Sequence, residues 1–452
     1  MIIAIETSSH VKKLNLNREI QKAENKIFRS TFLPTVDVAI TAPTLNRSIS
    51  SIPQDDGSIR FRESNTASSS LALDIEQNLR LTGGTIRISN SLNRLDQLGT
   101  NSSKSYSGSW LGLSYRQSLG AYNSFKSSSR ANEALTGLNR LEYYENLEQL
   151  KLEVINLYFS AYIAKMKMDL SRQLNVNSKI LLDLAREREK QKSITKNEIL
   201  KAELSKIESE SKLLNDSTSY SIKIEELRIK LGLIDSQTLE LVRPYNLSVS
   251  NDLLEGNKTY SYALRNYREK KNYELVKSTE QTKKTKSEKI STNVSIGFGF
   301  NNSSEDFQEL LVRPQQQQSL NFSIQKKIID WNSASNRYQI SKNQLEILKL
   351  SITQGEYELK SEISALLSSL ASSFERISAS KRRSELALLN YKLTNEEYLL
   401  GKANLIELNQ SSLRSESALI EALESLKQSW TTYYQLRKKT LYDFENDVSL
   451  TK

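Results

Sequence analysis

Along the first third of the chain, apolar residues recur at every second position in short runs. Val36, Val38 and Ile40 form one such run, and Leu71, Leu73, Ile75 and Leu79 a second. Ile86, Ile88 and Leu92 form a third, and Leu111, Leu113 and Tyr115 a fourth. A period of two sends alternate side chains to opposite faces, so these segments are predicted strands. The pattern returns at Val294-Ser-Ile296-Gly-Phe298-Gly-Phe300 and at Leu320-Asn-Phe322-Ser-Ile324. In the first of these, one face is large and apolar while the other is Ser295, Gly297 and Gly299. A soluble sheet with one face on a core alternates in this way, and so does a membrane barrel with lipid outside and a wet lumen. The strands by themselves do not choose between the two.

Elsewhere the apolar spacing is three and four. Leu16, Ile20, Ala23 and Ile27 predict a helix over 12–32 that stops before Pro34. Residues 126–232 and 335–445 each read as two antiparallel helices. In the second span Leu345, Leu348, Ile352, Leu359, Ile363, Leu366, Leu370, Phe374 and Ile377 follow a seam close to heptad spacing, as in a left-handed coiled coil. Between Gly137 and Gly232 there is neither Gly nor Pro, and after Pro314 the glycines are Gly355 and Gly401. A helix from Lys126 to Lys190 would be about 100 Å long at ~1.5 Å per residue. Residues 44–69 and 301–318, the latter ending in Gln315–Gln318, are polar and irregular and are expected to be exposed loops. Thr82-Gly83-Gly84-Thr85 predicts a hairpin with a two-residue turn.

The chain is also written twice. Asn123 and Asn332 lie 209 residues apart, each leaving a strand, and the same offset pairs Leu141 with Leu350, Leu150 with Leu359, Glu198 with Glu407, Leu214 with Leu423 and Leu227 with Leu436. Each copy is a strand pair followed by a long helical hairpin, and a repeat of this kind is a structural unit. From Pro34 to Leu111 is 77 residues, whereas Ser291 to Leu320 is 29, so the first copy carries extra material that suggests six strands in all.

Composition narrows the function. The chain of 452 residues has no Cys and a single histidine, His10, which leaves no thiolate metal site, His-based triad or His-rich site. No catalytic residues, metal or cofactor are expected. The formal charge is +10, but Lys and Arg are interleaved with Glu, as in Glu187-Arg188-Glu189-Lys190. That is the pattern of a solvated helix face, and no nucleic acid partner is inferred. No apolar run reaches the length of a membrane-spanning helix. Met1–Ile5 is too short for a secretory apolar region. Trp110, Tyr115, Tyr122 and Trp331 are read as lying at or near strand ends, where amphipathic rings suit a membrane interface. Ordinary sheet packing is the alternative for all four.

A duplicated strand pair and long helical hairpin resembles the TolC-like outer-membrane efflux protein family. Local motifs carry the resemblance further. Family strands leave the sheet through stretches such as Pro-Leu-Phe-Asp-Trp-Gly, and here stand Ile328-Ile329-Asp330-Trp331-Asn332 and Leu119-Gly120-Ala121-Tyr122-Asn123. At the far hairpin turn the family shows Gly, then an acidic residue followed by apolar ones. This chain reads Gly401-Lys-Ala-Asn-Leu-Ile-Glu407-Leu408, and in the first copy Lys192-Ser-Ile-Thr-Lys-Asn-Glu198-Ile199.

The resemblance implies a fold that is mixed α and β, mostly α: a trimeric membrane β-barrel continuous with a periplasmic coiled-coil α-barrel. On that plan 1–33 is an incomplete N-terminal helix, and 34–125 holds barrel strands with an inserted hairpin. Residues 126–232 form the first helical hairpin, and 233–289 an equatorial connector and helix. Barrel strands return in 290–334, followed by the second helical hairpin over 335–430 and a C-terminal equatorial segment over 431–452. The implied function is a passive outer-membrane exit duct for efflux or type I secretion. Its implied partners are two further copies of the chain, outer-membrane lipid, an inner-membrane pump and a periplasmic adaptor.

By the same resemblance Glu198 and Glu407 line the constricted entrance, while Lys192, Ile194, Gly401 and Leu405 mark the hairpin tips where the adaptor docks. The bland alternatives are ordinary exposed glutamates and plain helix–helix turns. The chain departs from the family at Lys192, where Gly is usual, and at Ala403, where some members carry a latching Arg. Family members also begin with a signal peptide and a fuller first helix, both expected to be missing from this sequence. The competing function is a soluble coiled-coil scaffold or tether without transport activity.

Overall fold

A computed structural model describes residues 8–99, 102–120, 122–233, 239–247, 256–287, 290–312, 314–326 and 328–451. Met1–Ile5, Ala121 and parts of the 233–289 connector lie outside the described residues. Helix α1 (Ser9–Ser30) is followed by strands β1 (Thr35–Pro53), β2 (Ile59–Asn78), β3 (Thr85–Leu98) and β4 (Ser103–Leu119). Then come α2 (Ser124–Lys190), α3 (Lys196–Leu231) and α4 (Gly256–Ser287). The second half contains β5 (Ile290–Ser304), the short α5 (Phe307–Val312), β6 (Gln315–Lys326), α6 (Ser333–Leu399) and α7 (Leu405–Thr440). A two-stranded ribbon of β7 (Tyr442–Asp443) and β8 (Val448–Ser449) closes the described chain.

The sequence offset reappears in the helix bounds. Helices α2 and α6 each have 67 residues and start 209 apart (333 − 124), and α3 and α7 each have 36 and again start 209 apart (405 − 196). Helix α7 runs unbroken to Thr440, past the boundary expected at residue 430.

The chain divides into two compact units, of which one comprises residues 21–136 and 271–351. Its centre is a six-stranded antiparallel sheet in the order β1-β2-β3-β4-β5-β6. The sheet is open, with β1 and β6 as its edges. Register makes its faces unequal. One cross-strand row reads Val36, Ile75, Ile88, Leu113, Phe298 and Gln318. The adjacent row, on the opposite face, reads Asp37, Asp74, Ser89, Gly112, Gly299 and Gln317. A second apolar row joins Ile86, Tyr115, Ile296 and Leu320.

Three expectations about this region are corrected. Residues 44–69 are not loops but the distal halves of β1 and β2, which pair from Thr44↔Ser68 to Pro53↔Ile59. In 301–318, β5 continues to Ser304, α5 occupies 307–312, and Gln315–Gln318 opens β6. In 44–53 and 59–69 the apolar residues Leu45, Ile49, Ile59 and Phe61 share one face, but Arg47, Ser51 and Glu63 interrupt it, while the strand residues of 301–318 are polar on both faces, so no sustained alternation betrays the strands. The turn at Thr82–Thr85 is longer than two residues. It spans 79–84, closed by Leu79 N–H to Gly84 O (2.8 Å) and Gly83 N–H to Leu79 O (2.8 Å), and only Gly83 of the two glycines has positive φ (79°).

The other unit comprises residues 1–20, 137–270 and 352–452. Its main core gathers Phe159 of α2, Ala263 of α4, Ile363 and Leu370 of α6, and Trp430, Tyr433 and Leu436 of α7. Leu359, Ile363 and Leu370 are thus the parts of the predicted seam that are fully buried. Gly355 lets α4 approach α6, since a Cβ there would stand 2.0 Å from the Tyr267 hydroxyl. At the end of α7 a buried ion cluster joins three segments. Arg437 Nη1 lies 2.7 Å from Asp443 Oδ2, and Nε faces Glu148 Oε2 at 2.7 Å as an ion pair without linear hydrogen-bond geometry. Lys151 completes the pairing of Glu148 at 2.5 Å, and the Tyr433 hydroxyl donates to Asp443 (2.8 Å). Burial alone would raise the Asp443 carboxyl, but hydrogen bonds from Asn446 and Tyr433 and the Arg437 charge outweigh it and hold the group below its ordinary range.

Candidate functional site

The two hairpin tips are built alike. Helix α2 ends in a Schellman motif with Lys192 N–H to Glu189 O (2.7 Å) and Ser193 N–H to Arg188 O (2.9 Å). Helix α6 ends in the same way, with Gly401 N–H to Tyr398 O (3.0 Å) and Lys402 N–H to Glu397 O (2.8 Å). The motif needs a left-handed residue. Gly401 supplies it at φ 73°, and Lys192 takes the same conformation at φ 55° despite its Cβ. Replacement of glycine by lysine therefore leaves the geometry of the first tip unchanged.

Each turn then starts a helix through an N-cap. Glu198 is the third helical residue of α3, and its Oε2 accepts the Thr195 backbone N–H (2.9 Å). Glu407 holds the same place in α7, accepting the Asn404 N–H (3.1 Å) while Asn404 Oδ1 accepts the Glu407 N–H (2.9 Å). A carboxylate here satisfies an orphan donor and sits at the positive end of the helix dipole. The structure thus gives both glutamates a local duty, leaving each carboxylate exposed to solvent. The capping signature Thr195-x-x-Glu198 was legible in the sequence, as was Asn404-x-x-Glu407.

The tips also touch each other. Arg188 of α2 donates to the Leu399 carbonyl at the end of α6 (3.2 Å) and lies 5.9 Å from the Tyr398 ring centre. Ile194 and Leu405 are half-buried against a small cluster of Leu182, Ala185 and Ala202. Lys192 and Gly401 are exposed. Of the four residues named for adaptor docking, two therefore cement the tips and two face outward.

The aromatic candidates separate. Trp331 stands between β6 and α6 at φ 51° and is 89% exposed, with Asp330 capping α6 beside it through Ala334 N–H (3.1 Å). Tyr122, its counterpart in the first copy, turns inward, and its hydroxyl donates to Glu280 Oε2 (3.1 Å) and meets Ser127. Tyr115 is half-buried and donates to Gln117 Oε1 (2.7 Å). Trp110 is not at a strand end. It sits at an irregularity within β4, between Ser109 and Leu111, and its indole N–H donates to the Leu310 carbonyl (3.1 Å).

The feature that only the structure reveals is the bareness of the apolar sheet face. Val38 is 62% exposed and Phe322 60%, and Leu73, Leu113 and Ile296 are exposed as well. A soluble sheet hides such a face under a second layer. Contiguous apolar surface of this extent marks a lipid or protein contact. Among the described residues no helix is long and apolar enough to cross a membrane, and no group of three or more His, Cys, Asp or Glu could hold a metal ion.

No protein-family model matches the chain, and no curated protein matches it. Solved structures do. The outer-membrane channel OprN superposes with a TM-score of 0.67 at 12% identity, over 98% of this chain and 89% of that one. The CmeC outer membrane channel of Campylobacter jejuni gives 0.67 at 13%, over 100% and 85%. The open state of the MtrE outer membrane channel of Neisseria gonorrhoeae gives 0.62 at 15%, over 97% and 87%. At these identities the likeness establishes the fold, which is that of the outer-membrane channels.

Proposed function

We propose that this chain, with the fold of outer-membrane channels, is the outer-membrane exit duct of a tripartite efflux or type I secretion system. The observation that carries the proposal is the exposed apolar face of the six-stranded sheet, opposite a face of Ser, Gly, Asp and Gln. Lipid outside and water inside is the environment that such a sheet satisfies. Trp331, exposed at the strand–helix junction, suits the interfacial layer. The helices then stand in the periplasm and conduct substrate passively, without catalytic chemistry, to a barrel in the outer membrane.

Three copies make the duct. Single-chain helices leave apolar stripes bare: Leu200, Leu204, Ile207, Leu214, Ile222 and Ile229 on α3 recur at near-heptad spacing and are all exposed. So are Leu16, Ile20 and Ile27, which share one face of α1. Helices of another copy are the natural cover for such seams. At the tips, Lys192 and Gly401 offer the outward surface for a periplasmic adaptor linked to an inner-membrane pump, and Ile194 and Leu405 hold that surface in place. Glu198 and Glu407 contribute six carboxylates near the axis of the entrance, where a ring of negative charge favours cations.

The test is envelope fractionation of the native cell, followed by recordings of the purified chain in planar bilayers. Recovery from the outer membrane with discrete conductance steps is the expected result. A chain that stays in the soluble fraction and yields no conductance would refute the duct in favour of a soluble coiled-coil scaffold.

A further inference from the structure

The excess positive charge of this chain is not spread evenly along it. Residues 21–34, 120–136, 271–289 and 327–351, which flank the strands, hold 15 Lys and Arg against seven Asp and Glu. The strand regions 35–119 and 290–326 hold ten of each. Eight of the ten net positive charges therefore fall in four short segments. The antiparallel order brings these segments together, because β1, β3 and β5 start, and β2, β4 and β6 end, at the same end of the sheet. There Asn25 of α1 donates to Thr136 of α2 (3.2 Å), Arg130 of α2 pairs with Glu280 of α4 (3.3 Å), and Thr282 of α4 donates to the Ser341 carbonyl of α6 (3.2 Å).

We propose that this end of the sheet binds the anionic headgroups of phospholipids. Arg29, Lys126, Lys284 and Lys286 lie within one turn of a helix end that adjoins the sheet, and all four are exposed. None forms an ion pair with a described residue, whereas the buried Glu280 is already shared by Arg130 and Lys283. Helix dipoles account for only part of this. Arg29, Lys284 and Lys286 stand at C-terminal ends, where cations are favoured. Lys126 is in the first turn of α2 and Arg337 in the second turn of α6, and neither helix has an acid in its first turn. By contrast α3 and α7 start with Glu198 and Glu407, the sign that the dipole favours. Two helix starts at this end therefore carry the disfavoured sign, which an external anion offsets.

The apolar side chains beside these charges identify the carrier of the anion. Leu33, Leu81, Ile328 and Trp331 are exposed in the links at the same end of the sheet. Ile328 follows closely on β6, where Phe322 and Ile324 are exposed on the apolar face that meets lipid in the duct. A free anion would leave these side chains bare. A bilayer takes both, with the apolar groups at the acyl boundary and the cations at the depth of the phosphates. This rests on the duct reading for the presence of a membrane. It adds the class of lipid that the chain selects and the level at which its helices leave the bilayer.

Quenching of tryptophan fluorescence by brominated lipids reads this directly. The full chain is reconstituted in phosphatidylcholine bilayers that contain brominated phosphatidylglycerol or, separately, the same amount of brominated phosphatidylcholine. The part of the quenching that Trp331→Phe removes is the local signal. Each basic residue near an anionic bilayer contributes roughly fivefold to binding, so phosphatidylglycerol should be preferred about fivefold at about 0.1 M salt. The preference should fall towards unity at about 1 M, where screening acts within about 3 Å. The combined variant Arg29→Gln, Lys126→Gln, Lys284→Gln and Lys286→Gln should lose it while keeping the conductance of the parent chain, and the parent's salt dependence is a test whether or not the variant assembles. A preference unchanged in a conducting variant would overturn the assignment to these residues. Equal quenching by the two lipids at low salt in a conducting parent chain would overturn the headgroup surface and leave the duct standing. Binding of soluble polyglutamate without a lipid preference would do the same and assign the surface to an acidic protein. A chain that inserts into neither bilayer and conducts nothing would overturn both readings.

Discussion

Replacing Glu198 and Glu407 together with Gln separates the capping duty that the structure gives these residues from the entrance role proposed for them. Each carboxylate accepts the N-cap amide of its helix, at 2.9 Å and 3.1 Å. Gln accepts the same bond, so the tip geometry survives and only the charge is lost. For a cation roughly 10 Å from each carboxylate, one charge contributes about 0.4 kcal/mol in water and about 0.15 kcal/mol after screening at 0.1 M salt. Six such charges in a trimer sum to about 0.9 kcal/mol, a roughly four- to fivefold enrichment of cations at the entrance. The assay is the reversal potential of single channels in a KCl gradient. At low salt the double Gln variant is expected to lose most of its cation preference, and near 1 M salt, where screening acts within about 3 Å, to match the parent chain. The Ala pair serves as control, because it also removes the cap and weakens each helix start by about 0.5–1 kcal/mol. An unchanged reversal potential at 0.1 M in a channel of normal conductance would refute the entrance role. An equal change at high salt would assign the effect to geometry instead of charge.

Three further outcomes follow from the packing. Arg437→Ala leaves buried Asp443 without its counter-ion and Glu148 with Lys151 alone, and should destabilise its unit by about 3–5 kcal/mol, read as a lower guanidinium midpoint. Asp443 is depressed below the ordinary 3.8, so its contribution is complete above that value and is lost as pH falls through the lower folded value. The Asp443-dependent part of thermal stability should therefore be constant with pH around neutrality and be lost below about pH 4, and Asp443→Asn should remove it. Lys192→Gly relieves a left-handed lysine and should stabilise the first tip by about 0.5–1 kcal/mol after the entropy of the unfolded glycine is counted, seen as slower proteolysis at the turn. Faster cleavage would show that the lysine side chain itself holds the turn.

How much of this was legible in the sequence depended on whether a segment had an apolar side to show. The 209-residue offset found in the sequence is the one that relates the helix starts, Ser124 to Ser333 and Lys196 to Leu405, because core positions such as Leu150 and Leu359 constrain both copies alike. The proximal strand halves announced themselves through Val36, Val38 and Ile40. Their continuations past Thr44 did not, since Arg47, Ser51 and Glu63 interrupt the face that Leu45, Ile49, Ile59 and Phe61 share and break the period of two. Lys192 hid a left-handed turn because its side chain disguises a backbone that only alignment with Gly401 exposes. Trp110 looked like an interfacial ring, yet the irregularity beside it and the carbonyl of Leu310 are long-range facts without a local signature.

The same distinction explains why the sequence left a soluble sheet and a membrane barrel equally open, and why the structure favours one. Alternation records that the two faces of a strand meet different surroundings, but not what those surroundings are. That information lies in what covers the apolar side, which depends on elements far away along the chain. Here the row from Val36 to Phe298 continues across five strands, with Val36, Ile88 and Leu113 exposed and Ile75 and Phe298 half-buried, while the helices bury cores of their own. A face that five strands agree on and that its own unit leaves bare calls for an apolar cover, and lipid is the cover that the proposed duct supplies.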